Sequence, residues 1–333
     1  MRKVLLYVLL PLILLLVAFY WWAKSASLEQ DQLHNEIELA HQEFHDRDTF
    51  SVMTYNIGYL SGMTNNLPLT VPVDLFDENL QKARTLIDKW QPDLIGFQEI
   101  DFRSRRSYNR DQLDSLAAGF NYVVRSVNWD KQYVPFPYWP PSVHFGKMLS
   151  GQAVLSRFPV TGSKRMVLTG PQAAPFYYKA FYLDRLVQVV ELKISDQAVV
   201  LLNVHLEAFD QQTRELQARE VLQVVDQYAA QGPLLLIGDF NARPPYASET
   251  ISDEKTMAMF LDHPLLSPAL DQQQYLASET EHFTYDTANP YEKLDYIFYT
   301  PRSIEPVKVA TVREAGQISD HFPLYMSFKL RPQ

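Results

Sequence analysis

Cysteine is absent from the 333 residues. That excludes disulfides, zinc–thiolate sites, a cysteine nucleophile and lipid attachment at an N-terminal cysteine. No Asn-x-Ser/Thr sequon occurs either, so nothing signals N-glycosylation. Residues 49–333 hold no Gly/Ser-rich or Pro-rich linker and no internal repeat, which argues against a chain of separate modules. Basic charge is in deficit, with 30 Lys and Arg against 39 Asp and Glu, a net of −9. Beyond residue 48 the count is 26 against 32, a net of −6. Such a domain is a poor electrostatic partner for long nucleic acid, although a local basic groove is still compatible with it. What is abundant is apolar: 47% hydrophobic and 13% aromatic residues, enough for one large folded α/β domain.

The longest uncharged run lies at the N-terminus. Arg2 and Lys3 precede Val4 to Trp22, a stretch long enough to cross a bilayer as a helix. Pro11 is tolerated in spanning helices, and Tyr20, Trp21 and Trp22 resemble an interfacial aromatic belt. The two basic residues favour a cytoplasmic N-terminus and an extracytoplasmic domain, periplasmic or extracellular. A cleaved signal peptide, ending near Ser25, Ala26 and Ser27, is the alternative. We therefore expect an anchor or signal over 1–24 and a helical stalk or disordered linker over 25–48. A catalytic domain over 49–333 follows. Leu33, Ile37, Leu39, Ala40 and Phe44 give the stalk its loose helical stripe. No feature signals an oligomer.

Within the domain, apolar runs predict strands near 50–56, 94–98, 121–128, 151–155, 186–194, 198–205, 234–238, 294–299, 306–312 and 322–329. Helical spacing marks 77–90, 109–117 and 211–230. Consecutive strands interleaved with helices fit two packed sheets with helices outside. The prolines of YVPFPYWPPSVHF, Tyr133 to Phe145, exclude a helix there and predict an aromatic loop near a site mouth.

Several of these strands end on polar residues: Asn56, Glu99, His205, Asp239 with Asn241, Asp295, and Asp320 with His321. A carboxylate closing an apolar strand is costly unless solvated, paired or metal-bound. Carboxylates and Asn suit a hard cation, and imidazoles suit proton transfer and phosphate contact. The set reads as a metal-assisted phosphoester hydrolase. Each element alone has a plainer reading. Asn56 is able to turn the chain before Gly58, and a lone His in a β-branched run is usually a satisfied core residue. Asp239 and Asn241, two apart, face the same side if the strand continues.

Together the motifs Thr54-Tyr55-Asn56, Gln98-Glu99, Asn203-Val204-His205-Leu206, Gly238-Asp239-Phe240-Asn241, Leu294-Asp295-Tyr296 and Ser319-Asp320-His321 occur in a telling order. From about Phe50 to Phe328 the chain resembles the endonuclease/exonuclease/phosphatase superfamily, with its deoxyribonuclease-I-like fold. The resemblance implies a four-layer α/β sandwich, two packed mixed sheets flanked by helices, preceded here by the N-terminal transmembrane helix. It implies Mg²⁺, or Mn²⁺, on Glu99, Asn56 and Asp320, and one ion or two. His321 becomes the base and Asp295 its orienter. His205, Asn241 and Arg185 contact the phosphoryl group. Asp239 steers the nucleophile or assists the leaving group. Lys147, Tyr178 and Tyr182 are in range of a site but carry no motif.

The stretch EKLDYIFYT departs from the inositol 5-phosphatase pattern, and the acidic balance disfavours apurinic-site nucleases. A tethered domain with an aromatic loop suits a phospholipid head group, as in neutral-sphingomyelinase-like relatives. An extracytoplasmic nuclease and a catalytically inactive binding protein are the alternatives.

Overall fold

The computed structural model describes residues 2–39, 47–248 and 253–332. Two mixed sheets pack face to face. The first has seven strands in the order β1 (His34–Glu38), β4 (Tyr122–Val134), β5 (Gly146–Ser156), β3 (Leu94–Asp101), β2 (Phe50–Asn56), β13 (Leu324–Leu330) and β12 (Ile304–Thr311). The second has six: β10 (Ser267–Pro268), β11 (Asp295–Tyr299), β9 (Leu234–Asp239), β8 (Gln197–His205), β7 (Leu186–Ile194) and β6 (Val160–Val167). Among the described residues, only β2–β3 and β8–β9 pair in parallel. Those two pairs carry four of the expected polar strand ends to a common edge.

Period-2 alternation explains the layering. In β2, Phe50 and Val52 enter the core between the sheets with Val190, Leu201, Leu235 and Ile297. Met53 and Tyr55 face the other way, towards Ala83, Leu86 and Ile87 of helix α2 (Val73–Trp90). Helix α3 (Gln112–Leu116) packs on the same outer side, and is shorter than the predicted 109–117. On the second sheet, α5 (Gln211–Ala229) and α6 (Thr256–Leu261) cover Val189, Leu202 and Leu236. Three short helices escaped the periodicity, α4 (Phe176–Phe181), α6 and α7 (Gln272–Ala277), as did strands β6 and β10. The layers are helix, sheet, sheet, helix, as the sequence led us to expect.

A buried polar seam crosses the sheet interface. Asn203 of β8 accepts from Gln98 Nε2 of β3 at 2.6 Å and donates to Gln188 Oε1 at 3.1 Å. It also donates to the Phe97 carbonyl, while Gln152 donates to the Asn203 carbonyl. All four amide side chains are fully buried. Buried amides are tolerated only when paired in this way.

Helix α1 (Arg2–Lys24) is long and apolar enough over Tyr7–Lys24 to cross a membrane. The expected helical stalk is corrected. Residues 34–38 form β1, antiparallel to β4, with His34 opposite Ser126 and Glu38 opposite Tyr122. Main-chain pairing along the otherwise open edge of β4 outweighs the weak helical stripe of this segment. Leu33 and Ile37 pack beneath on the outer core. Ala40 and Phe44, the other members of that stripe, lie outside the described residues.

Candidate active site

The eight polar strand-end residues and Arg185 gather at one end of the paired sheets. The parallel pairs bring Asn56 opposite Gln98 and His205 opposite Asp239. Strand β11 runs antiparallel to β9, so its first residue, Asp295, faces Asp239. The segment before β13 delivers Asp320 and His321, with His321 bridged to Tyr285.

Asp295 and His321 form the tightest pair. Asp295 Oδ2 lies 2.9 Å from His321 Nδ1, both buried. The Asp295 main-chain N–H donates to Thr284 Oγ1, and its carbonyl accepts from the buried Lys293 ammonium at 2.7 Å. Burial alone opposes the charged imidazole. The Asp295 and Asp239 carboxylates and the Asp295 hydrogen bond outweigh it, holding His321 well above its ordinary 6.5.

Asp239 occupies the centre. Its Oδ2 accepts from Asn56 Nδ2 at 2.9 Å and lies 3.6 Å from His205 Nε2 and 3.8 Å from His321 Nε2. Burial pushes this carboxyl up, opposed by His321 and reinforced by the neighbouring Asp295. His205 is held well below its ordinary value, chiefly by burial, with the Arg185 and His321 charges adding to it. It is a neutral imidazole whose Nδ1 has no hydrogen-bond partner.

Glu99 stands on the other side of Asn56, whose Nδ2 also lies 3.3 Å from Glu99 Oε1. A bulge between Phe97 and Ile100 interrupts the pairing of β3 with β5 and leaves Glu99 at φ +52°. Bulges of this kind re-aim a side chain beside active sites, at a backbone cost. Here the bulge aims a quarter-exposed carboxylate at Asn56 and His205. Asn65 Nδ2 then spans two carboxylates, 3.4 Å from Glu99 and 3.1 Å from Asp320. Burial pushes Asp320 up, and Glu99 adds to the rise against the pull of His321. Gly58, at φ +49°, is required beneath them. A Cβ there would meet Ser319 Oγ at 2.8 Å and Asp320 Oδ1 at 3.0 Å.

Two expectations change in detail. Strand β9 ends at Asp239, and Asn241 follows in a left-handed conformation, φ +50°. The two side chains therefore do not share a strand face. The Asn241 N–H donates to Asp239 Oδ1, and its amide donates to the Leu206 carbonyl. Arg185, expected from the sequence only as a phosphoryl contact, is buried beside Tyr182 and Glu207. Its Nη2 donates to Tyr182, and its Nε lies 3.6 Å from Glu207. Nε and Nη1 make no hydrogen bond. Tyr182 in turn donates to Glu207 at 2.8 Å. Sequence reading missed Asn65 and Glu207, since both sit in loops outside any motif. Tyr182, in range of the site by sequence but without a motif, is placed by its bonds to Arg185 and Glu207.

The donor chemistry fits a hard divalent cation in one of two arrangements. Glu99, Asp320 and Asn56 offer oxygen atoms only. Asp239, Asp295 and His321 offer one ligand atom each, all within 4.8 Å of one another, and Asp295 Oδ1 is buried without a partner.

Layered sheets of this order, with carboxylates and imidazoles at one end of the parallel strands, define an α/β fold of the phosphoesterase and nuclease class. The chain belongs to the endonuclease/exonuclease/phosphatase family, whose model matches residues 53–321. Members of that family hydrolyse phosphoester bonds and generally use a divalent metal. Among solved structures, an endonuclease/exonuclease/phosphatase from Beutenbergia cavernae is 22% identical with a TM-score of 0.62, covering 85% of this chain and 72% of that one. The human Nocturnin catalytic domain with bound sulfate is 20% identical, TM-score 0.57, over 90% and 98%. Danio rerio TDP2 complexed with single-strand DNA product is 18% identical, TM-score 0.59, over 85% and 100%. No curated protein sequence matches.

Proposed function

We propose that this chain is a membrane-anchored, Mg²⁺-dependent phosphodiesterase acting on phospholipid head groups. One observation carries the reaction class. A carboxylate-oriented imidazole, His321 with Asp295, lies 3.8 Å from a buried carboxyl, Asp239, which Asn56 connects to Glu99, and Glu99 in turn shares Asn65 with Asp320.

Glu99, Asn56 and Asp320 hold the ion in this reading. When bound, Mg²⁺ or Mn²⁺ polarises a phosphoryl oxygen and offsets the charge that develops on it. The remaining roles belong to the chain itself. His321 Nε2 takes a proton from the attacking water, and Asp295 fixes its Nδ1 tautomer and stabilises the imidazolium. Asp239, between the two imidazoles, orients the water by accepting from it. Neutral His205 and Asn241 donate to phosphoryl oxygens, Asn241 after exchanging its bond to Leu206. Arg185, held by Tyr182 and Glu207, supplies positive potential at the rim through N–H groups without other partners.

The hydrophobic run of α1 and the acidic balance favour a lipid over nucleic acid as substrate. A nuclease is the second reading, supported by the DNA product in the similar TDP2 structure. Full-length protein offered nitrophenyl phosphodiesters, sphingomyelin, inositol phosphates and plasmid DNA separates them. Mg²⁺-dependent cleavage of the lipid, abolished by chelator, supports the proposal. Cleavage of DNA alone replaces it with the nuclease reading. Binding without cleavage of any of these replaces it with a binding protein.

A further inference from the structure

The strand registers set direction. Glu99 lies near the end of β3, and β5 pairs antiparallel to it, with Asp101 opposite Ser150. The β4–β5 hairpin continues past that point to Val134 opposite Gly146, so its tip, 135–145, projects beyond the catalytic end of the first sheet. In the second sheet Leu186 pairs with His205, so the 168–185 connection into β7 leaves from the same end. Both loops carry large apolar side chains in solvent. Tyr138 and Trp139 are 70% and 76% exposed, Phe176 and Tyr177 74% and 59%. Tyr178 stacks on Tyr182 at 4.8 Å, and Trp129 Nε1 of β4 donates to the Phe181 carbonyl at 2.8 Å, so this connection adjoins the stem of the hairpin.

Helix α1 enters at this end too. The Phe19 and Trp22 rings lie 5.6 and 6.2 Å from Tyr133, at the base of the hairpin tip. Tyr20 lies 6.2 Å from Phe176 and 5.8 Å from Phe181. The chain after the helix is fastened rather than free. The buried Asp130 carboxylate accepts from Ser27 N at 2.8 Å, Ser27 Oγ at 2.7 Å and Leu28 N at 2.8 Å. Gln132 N donates to the Ser25 carbonyl, and β1 follows at once. No flexible tether separates the apolar helix from the domain.

Resting on the reading of α1 as a membrane helix, we infer that the hairpin tip and α4 form a docking face that enters the bilayer interface beside α1 and turns the active-site mouth towards lipids of that same leaflet. The occupant is the bilayer, because this aromatic surface is continuous with the apolar helix that emerges from it. Tyr and Trp are the side chains favoured at the headgroup level. The site is thereby matched to a phosphodiester presented at the membrane surface in cis. Phe209, 79% exposed in the turn after β8, extends the same end, since its N–H donates to the Glu207 that holds Tyr182.

The absence of cysteine makes the test direct. Full-length protein is reconstituted in phosphatidylcholine vesicles after single substitutions Trp139→Cys, Tyr177→Cys, Leu14→Cys or Asp196→Cys, each labelled with an environment-sensitive fluorophore. Asp196 is fully exposed in the β7–β8 turn, at the opposite end of the sheet. Labels at 139 and 177 are expected to be quenched several-fold more by a lipid-borne nitroxide than the label at 196. A water-soluble quencher reverses the order. Labels at 139 and 177 as water-accessible as that at 196, with 14 embedded, overturn the docking face and leave the anchor standing. A water-accessible label at 14 overturns the anchor and the docking face together.

Discussion

His321 and Asp295 share a 2.9 Å contact inside a cluster of carboxyl groups, and this contact sets what single substitutions will do. His321→Ala removes the proton acceptor and is expected to lower kcat on a soluble phosphodiester by about 10²–10⁴-fold. Asp295→Asn removes the orienting charge and falls in the same range. Because the two act as a unit, the double variant is expected to be little worse than the worse single. Multiplicative losses contradict the pairing. The pH profile reports on the same residues. A base must be unprotonated, and Asp295 and Asp239 both favour the proton on His321. In saturating Mg²⁺, kcat/KM is therefore expected to rise with pH along a limb above 6.5. Asp295→Asn removes one negative charge and is expected to move that limb to lower pH. An unmoved limb assigns it to another group.

At the scale of elements, β3 and β8 do two jobs at once. Each carries a site residue at or near its end, and each contributes an amide to the seam one or two residues earlier: Gln98 before Glu99, Asn203 before His205. Asn203→Leu leaves Gln188 and the Phe97 carbonyl without their partner, a loss of about 1–3 kcal/mol for buried polar groups. A fall of that size in the unfolding free energy from urea titration checks it, and an unchanged free energy makes the seam dispensable. The strands themselves were legible because an apolar run closed by Asn, Glu, His or Asp marks both a strand and its polar end. Legibility stopped where pairing decides. Segment 34–38 reads HNEIE, a polar stretch that becomes a strand only because β4 offers an edge. Asn241 leaves the strand face because the strand ends at Asp239, and nothing in Gly-Asp-Phe-Asn reveals the left-handed turn that follows. Asn65 and Glu207 sit in loops, and their partners Asp320 and Arg185 lie on other loops or strands.

As a whole molecule, the chain joins an apolar helix, a short fastened turn and a two-sheet domain whose site, exposed aromatics and helix junction share one end. A membrane phosphodiesterase needs that coincidence, whereas a nuclease meeting long DNA needs a basic surface that the net charge of −9 does not favour. The most direct measurement is head-group release from vesicles containing sphingomyelin, made with the reconstituted full-length protein. Mg²⁺-dependent release of phosphorylcholine is predicted, abolished by chelator and reduced at least about 10²-fold by His321→Ala. No release from these vesicles, together with Mg²⁺-dependent cleavage of plasmid DNA, would contradict the assignment.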